Sequence, residues 1–232
     1  MANRPVFVPL RNNGVPGVKV LDVDFQWFPG MASSQKRKSI KSLHHSTEAL
    51  GVSPILEVSS KSEEEVGVLL SAFNLMIETG NKKYRFSVES AFQASKVFER
   101  GGPYVDLLNR SSIEAKRDIR IKESGNVVGF NFFGREFPIK PRTYFYDWIY
   151  VNALKQNKEL ASASVGYSGF SDIEFNPKKS INCQAYSLAL YVSLISTGML
   201  DEALSTPHNF LKIAYQSDSK ESLDAVQSNL LF

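Results

Sequence analysis

Cysteine is almost absent from this 232-residue chain. Cys183 stands alone, so no disulfide can form within the chain, which suits a reducing cytoplasm. Histidine is nearly as sparse: His44, His45 and His208 fall in no CxxC or HExxH pattern, so a zinc site would lack ligands and no metal is expected. No run approaches 18 consecutive apolar residues, which argues against a membrane-spanning helix. The start, Met1-Ala2-Asn3-Arg4-Pro5, lacks the apolar region of a signal peptide, so a cytoplasmic protein with no membrane partner is expected. Repeats, low-complexity blocks and long linkers are also missing. The expectation is one domain over residues 1–232, with a polar tail from 217 onward.

What is present is bulky. Aromatics reach 12% of the chain, enough to build a core and to exclude wholesale disorder. The net charge of +3 is unevenly placed: residues 1–60 hold seven Lys/Arg against four Asp/Glu, and the remainder is balanced. Such a local surplus permits phosphate contact without requiring it.

The Pro-, Gly- and Asn-rich first 20 residues suggest an extended arm. Ile40, Leu43 and Leu50 recur at near-helical spacing, so 33–50 is expected to be an amphipathic helix whose basic end carries Lys36, Arg37, Lys38 and Lys41. The plain reading of that basic run, and of His44-His45, is a solvated helix face. Ile55–Val58 suggests a strand, and Ser62 with Glu63-Glu64-Glu65 suggests the start of a helix over the apolar run 66–76. A helix from Ser87 is expected to run to a stop at Gly101-Gly102-Pro103. Arg117–Lys122 and Val127–Phe133 flank turn residues and suggest a β-hairpin. Helices follow around 144–158, 184–196 and 209–216. The fold class is α+β, mainly helical, with a small hairpin.

On the helix expected at 87–100, about 100° per residue places Glu89, Gln93, Lys96 and Arg100 on one line. Glu89 and Lys96 then stand about 10 Å apart along the axis, and both can lean toward a ligand lying over Gln93. The same spacing also describes an exposed polar stripe.

Val88-Glu89-Ser90-Ala91-Phe92-Gln93-Ala94-Ser95-Lys96 resembles the signature helix of the NADAR family. Ser71-Ala72-Phe73-Asn74 is similar to an upstream element of that family. Asp172-Ile173-Glu174-Phe175 with Asn182 resembles its D-x-x-W-G…N-x-L-G element, with Phe175-Asn176 in place of Trp-Gly. Five further segments resemble the branch associated with the DNA ADP-ribosyltransferase toxin DarT: Trp27–Met31, Leu56–Ser62, Gly101–Tyr104, Phe145–Trp148 and Lys179–Ala185.

The resemblance implies a single NADAR-like domain that removes ADP-ribose from guanine in DNA, as the antitoxin of a DarT-type system. It implies Glu89 and Lys96 as catalytic groups, ADP-ribosylated DNA as substrate, the cognate toxin as a possible partner, and no cofactor. Trp27, Phe73 and Trp148 could stack on a base, or pack in the core. Ser60, Lys61, Asn74, Gln93, Asp147, Asp172 and Asn182 are candidates for holding the ligand's polar groups. For Lys61 a solvated loop position is the alternative; for Asp147 and Asp172, local capping; for Asn74 and Asn182, turn closure. Lys36, Arg37, Lys38 and Lys41 would bind DNA. Two other functions fit less well: an N-glycosidase of a small nucleotide-like metabolite, or an antitoxin that masks its toxin without catalysis.

Overall fold

A computed structural model of the chain describes residues 1–11, 14–30, 32–80 and 83–215. The expected C-terminal tail lies outside the described residues. In chain order the elements are β1 (Ala2–Pro9), β2 (Val18–Phe25), α1 (Ser33–Glu48), β3 (Ile55–Glu57), α2 (Glu65–Leu69), β4 (Met76–Glu78), β5 (Arg85–Ser87), α3 (Val88–Ala94) and β6 (Lys96–Phe98). After a 3-10 turn at Val105–Asn109 come α4 (Ser112–Arg117), α5 (Ile119–Glu123), β7 (Val127–Phe132), β8 (Arg135–Phe137), α6 (Tyr144–Gln156), α7 (Lys158–Ser164), β9 (Gly169–Ser171), α8 (Gln184–Ser196), α9 (Leu200–Ser205) and α10 (Pro207–Ala214). The α+β class, dominated by helices, is as expected.

The first 20 residues are not an arm. β1 and β2 form an antiparallel hairpin registered from Ala2↔Phe25 to Pro9↔Val18, and they belong to a sheet ordered β2-β1-β9-β3. Val6, Val23 and Phe25 are buried against Ile40 and Leu43 of α1, and that burial outweighs the turn-forming composition. Pro5 is tolerated because β1 meets β9 only at Val6↔Ser171 and Phe7↔Phe170, where no amide of Pro5 is needed.

The larger core surrounds α6, on which Tyr144 through Val151 are all buried, as suits a helix enclosed on every side. It packs against α8 and α3, with Phe145 stacked on both Phe92 and Phe130.

Three expected elements are shorter or displaced. The helix over 66–76 ends at Leu69, and later backbone groups bond to side chains from elsewhere: Tyr150 OH donates to Leu70 O at 2.7 Å, and Gln184 Oε1 accepts from Ala72 N at 2.7 Å. The helix from Ser87 ends at Ala94, where the Ser95 hydroxyl bonds back to Ala91 O and β6 pairs with β7 through Lys96↔Phe130. The hairpin lies one strand further on, β7 pairing with β8 around left-handed Phe133 and Gly134. Residues 119–123 are helical because Asp118 accepts from Arg120 N at their start.

Candidate active site

The short helix α3 is held at its N-terminal end. Ser87 caps it by accepting from Ser90 N at 3.0 Å, and Glu89 N donates to Ala72 O at 2.9 Å. Glu89 and Gln93, one turn apart, share a face and are both 5% exposed. Gln93 Nε2 donates to Glu89 Oε1 at 2.9 Å, and Gln93 Oε1 accepts from Lys96 Nζ at 2.8 Å. Lys96 thus reaches the helical face from β6, not from a further turn of helix. Its ammonium lies 4.7 Å from the centre of the Phe92 ring.

Burial draws Lys96 down to about 8; the Glu89 carboxylate opposes that shift and the Lys116 ammonium adds to it. The neighbouring cation is Lys116, not Arg100, although Arg100 is expected on the same helical line. Arg100 sits in the turn after β6, where its guanidinium donates to Glu123 O at 2.8 Å.

A cleft of about 580 Å³, ample for a nucleotide-sized ligand, opens over this face. Glu89, Phe92, Gln93 and Lys116 line one wall. Asp172, Glu174, Phe175, Asn182 and Gln184 line another, with Ser60, Phe73 and Asn74 also at the cleft. The Asp172 carboxylate is buried and well fixed. Oδ1 accepts from the amides of Glu174 (3.0 Å) and Phe175 (3.2 Å), and Oδ2 accepts from Gln184 Nε2 at 3.1 Å. Asn182 Oδ1 is buried with no hydrogen-bond partner among the described residues, so it offers a free acceptor.

Close to Asp172 lies a second carboxylate, Glu57, which is not among the expected site residues. Glu57 is 2% exposed and accepts three bonds: from the hydroxyls of Ser59 and Ser171, both at 2.6 Å, and from Ile173 N at 2.9 Å. Because the Ser171 hydrogen goes to Glu57, the 2.9 Å contact between His44 Nε2 and Ser171 Oγ has the imidazole as donor. His44 is therefore not a solvated surface residue, and burial lowers it to about 4. Burial pushes Glu57 and Asp172 well above the usual carboxylate range, and the Asp172 charge pushes Glu57 further.

Six of the ten expected ligand-holding residues meet at the cleft: Ser60, Phe73, Asn74, Gln93, Asp172 and Asn182. Four do not line it. Trp27 packs edge-on to Phe25, with Arg4 and Lys36 over its ring at 5.6 and 4.8 Å. Lys61 is fixed through its backbone amide, which donates to Ser59 Oγ. Asp147 accepts from Ser187 (2.5 Å) and Tyr215 (2.6 Å), a buried tie between α6, α8 and the end of α10. Trp148 packs against Phe137 and Phe132 in the core. Of the basic segment, Arg37 and Lys38 are exposed and Lys41 pairs with Glu63 at 3.1 Å.

Compared with known proteins, residues 2–224 match the model of a family described as the DarT1-associated NADAR antitoxin. The chain belongs to that family. No curated protein matches it. The match spans both sheet and helices, so this NADAR antitoxin owes its family assignment to far more than the Glu89–Lys96 segment. Among its described residues, no helix is long and apolar enough to cross a membrane.

Proposed function

We propose that this NADAR antitoxin is an N-glycosidase that releases ADP-ribose from guanine in DNA and so reverses the action of a DarT-type toxin. The observation that carries the reading is the Glu89–Gln93 pair lining a nucleotide-sized cleft, with Lys96, which does not itself line the cleft, hydrogen-bonded to Gln93.

The bond to be broken joins the anomeric carbon of the ribose to the exocyclic nitrogen of guanine. Its cleavage builds positive charge on the sugar and negative charge on the departing base. The Glu89 carboxylate, oriented by Gln93, faces the developing cation and takes a proton from the attacking water. The Lys96 ammonium, drawn down to about 8 by burial, gives its proton to the guanine nitrogen near neutral pH. Water adds hydroxide to the anomeric carbon, the base regains its amino hydrogen, and the two side chains exchange protons with solvent to reset. Asn182 Oδ1 and the Asp172 wall supply acceptors for sugar hydroxyls. Arg37 and Lys38, on α1, supply contacts to the DNA backbone.

Incubation with an oligonucleotide bearing ADP-ribosylguanine, read as ADP-ribose released, tests the reading. Turnover of a modified mononucleotide alone would point to a small metabolite as substrate. Binding of the toxin without any release would point to masking.

A further inference from the structure

We propose that Lys116 is the phosphate-binding residue of the cleft, and that a phosphate of the substrate displaces it from Glu89. The proposal rests on the reading of the cleft as a nucleotide site. Among the described residues lining it, Lys116 is the only lysine or arginine, whereas Glu89, Asp172 and Glu174 are all carboxylates. Lys96, the other nearby ammonium, bonds to Gln93 Oε1 and does not line the cleft. A phosphate-bearing ligand entering such a cleft meets carboxyl groups at three positions and finds one available counter-charge among the lining residues.

Lys116 is aimed there by a rigid support. α4 begins with a reciprocal cap in which the Ser111 side chain and the Glu114 carboxylate each bond the other's backbone amide. The next residue, Ser112, donates to Phe73 O at 2.8 Å and meets the Ser87 hydroxyl at 2.7 Å, the same hydroxyl that caps α3. Ala115 is fully buried. The backbone under Lys116 is therefore tied to the helix that carries Glu89. Its own side chain is 55% exposed, lies over the Phe73 ring at 4.9 Å, and ends 3.7 Å from Glu89 Oε1.

That ion pair is too long for a hydrogen bond and is open to water on the lysine side, so it holds weakly. A phosphate brings oxygens that are not yet engaged, whereas the carboxylate oxygen facing Lys116 already accepts from Gln93. When Lys116 turns to phosphate, Glu89 loses a competing cation and faces the ribose with its charge uncompensated on that side. Substrate binding and readiness of the carboxylate are thereby linked in one side-chain movement.

The phosphate has two sources: the diphosphate of the ADP-ribosyl group, or the DNA strand beside the modified base. Titration calorimetry on the full chain, with K116Q and K116R, separates them using free ADP-ribose, an unmodified single-stranded oligonucleotide, and adenosine as a phosphate-free control. We expect K116Q to bind one of the two phosphate ligands roughly tenfold or more weakly, with adenosine unchanged and K116R near wild type. Loss confined to ADP-ribose assigns the diphosphate; loss confined to the oligonucleotide assigns the strand. Equal affinity of wild type and K116Q for both ligands overturns the proposal, as does failure of the wild type to bind either. None of these readouts requires hydrolysis of ADP-ribosylguanine, so the glycosidase reading can fail while this one stands.

Discussion

Glu89 and Lys96 are joined through the Gln93 amide, whose nitrogen donates to Glu89 Oε1 at 2.9 Å while its oxygen accepts from Lys96 Nζ at 2.8 Å. A carboxamide can do both at once; a carboxylate cannot. Gln93→Glu would set two carboxylates side by side, both near the ammonium, and strengthen its hold on the proton. With Lys96 as proton donor, the wild-type rate should fall as pH rises above about 8. In Gln93→Glu that alkaline limb should move to higher pH. A wild-type rate that instead rises through pH 8, with a borohydride-trapped ADP-ribose adduct on Lys96, would replace proton donation by imine formation.

Glu57 makes the fold's stability depend on pH in a direction opposite to that of an ordinary paired carboxylate. Its proton affinity is raised by folding, so the native state binds more protons than the unfolded chain once pH exceeds the unfolded value near 4.5. Stability is therefore full at acid pH and declines as pH rises through the neutral range. Glu57→Gln cannot ionise and keeps most of the hydrogen bonding. Its melting temperature should fall less than that of the wild type between about pH 5 and pH 9. Parallel curves for the two proteins would mean that the Glu57 carboxyl carries no such penalty.

The four basic residues at the start of α1 should not contribute equally to DNA binding. Lys41 is paired with Glu63, and Lys36 lies over Trp27, whereas Arg37 and Lys38 are exposed. Replacing Arg37 and Lys38 together with Gln should weaken oligonucleotide binding and reduce its logarithmic salt slope by about 1.4–1.8. Lys41→Gln should change that slope little. Fluorescence anisotropy across a salt series would show it, and an equal effect at all four positions would contradict this ranking.

How much was legible in the sequence follows the range of the interactions involved. The helices α1 and α10 declare themselves through apolar spacing, because each buries a face of its own residues, and α6 and α8 through long, largely apolar runs that are buried nearly all round. The N-terminal hairpin does not, since its Pro, Gly and Asn residues suggest turns until Val23 and Phe25 find α1. The Glu89–Gln93 pair was readable as one helical turn. Helical spacing puts Lys96 on the right face, but the residue arrives there from a strand.

Lys116 and Glu57 left no local signal that sets them apart from surface or strand residues. Lys116 reaches the cleft because Ser112 is tied to Phe73 and Ser87, which lie 39 and 25 positions away. Glu57 is enclosed by Ser171 and Ile173 from beyond position 170. Asp147 and Trp148 sit in a motif-like segment yet serve packing. Resemblance alone does not distinguish a residue that holds the fold from one that touches a ligand.

The most direct measurement compares wild type with Glu89→Gln on an oligonucleotide carrying a single ADP-ribosylguanine, following free ADP-ribose and restored guanine by mass spectrometry. Gln keeps the size of Glu and can still bond to Gln93, so both proteins should melt within a few degrees of each other. The wild type should release ADP-ribose, and the variant should do so on the order of 10²–10⁴-fold more slowly. A wild type that leaves the adduct intact, or a Glu89→Gln protein as fast as the wild type, would contradict the account.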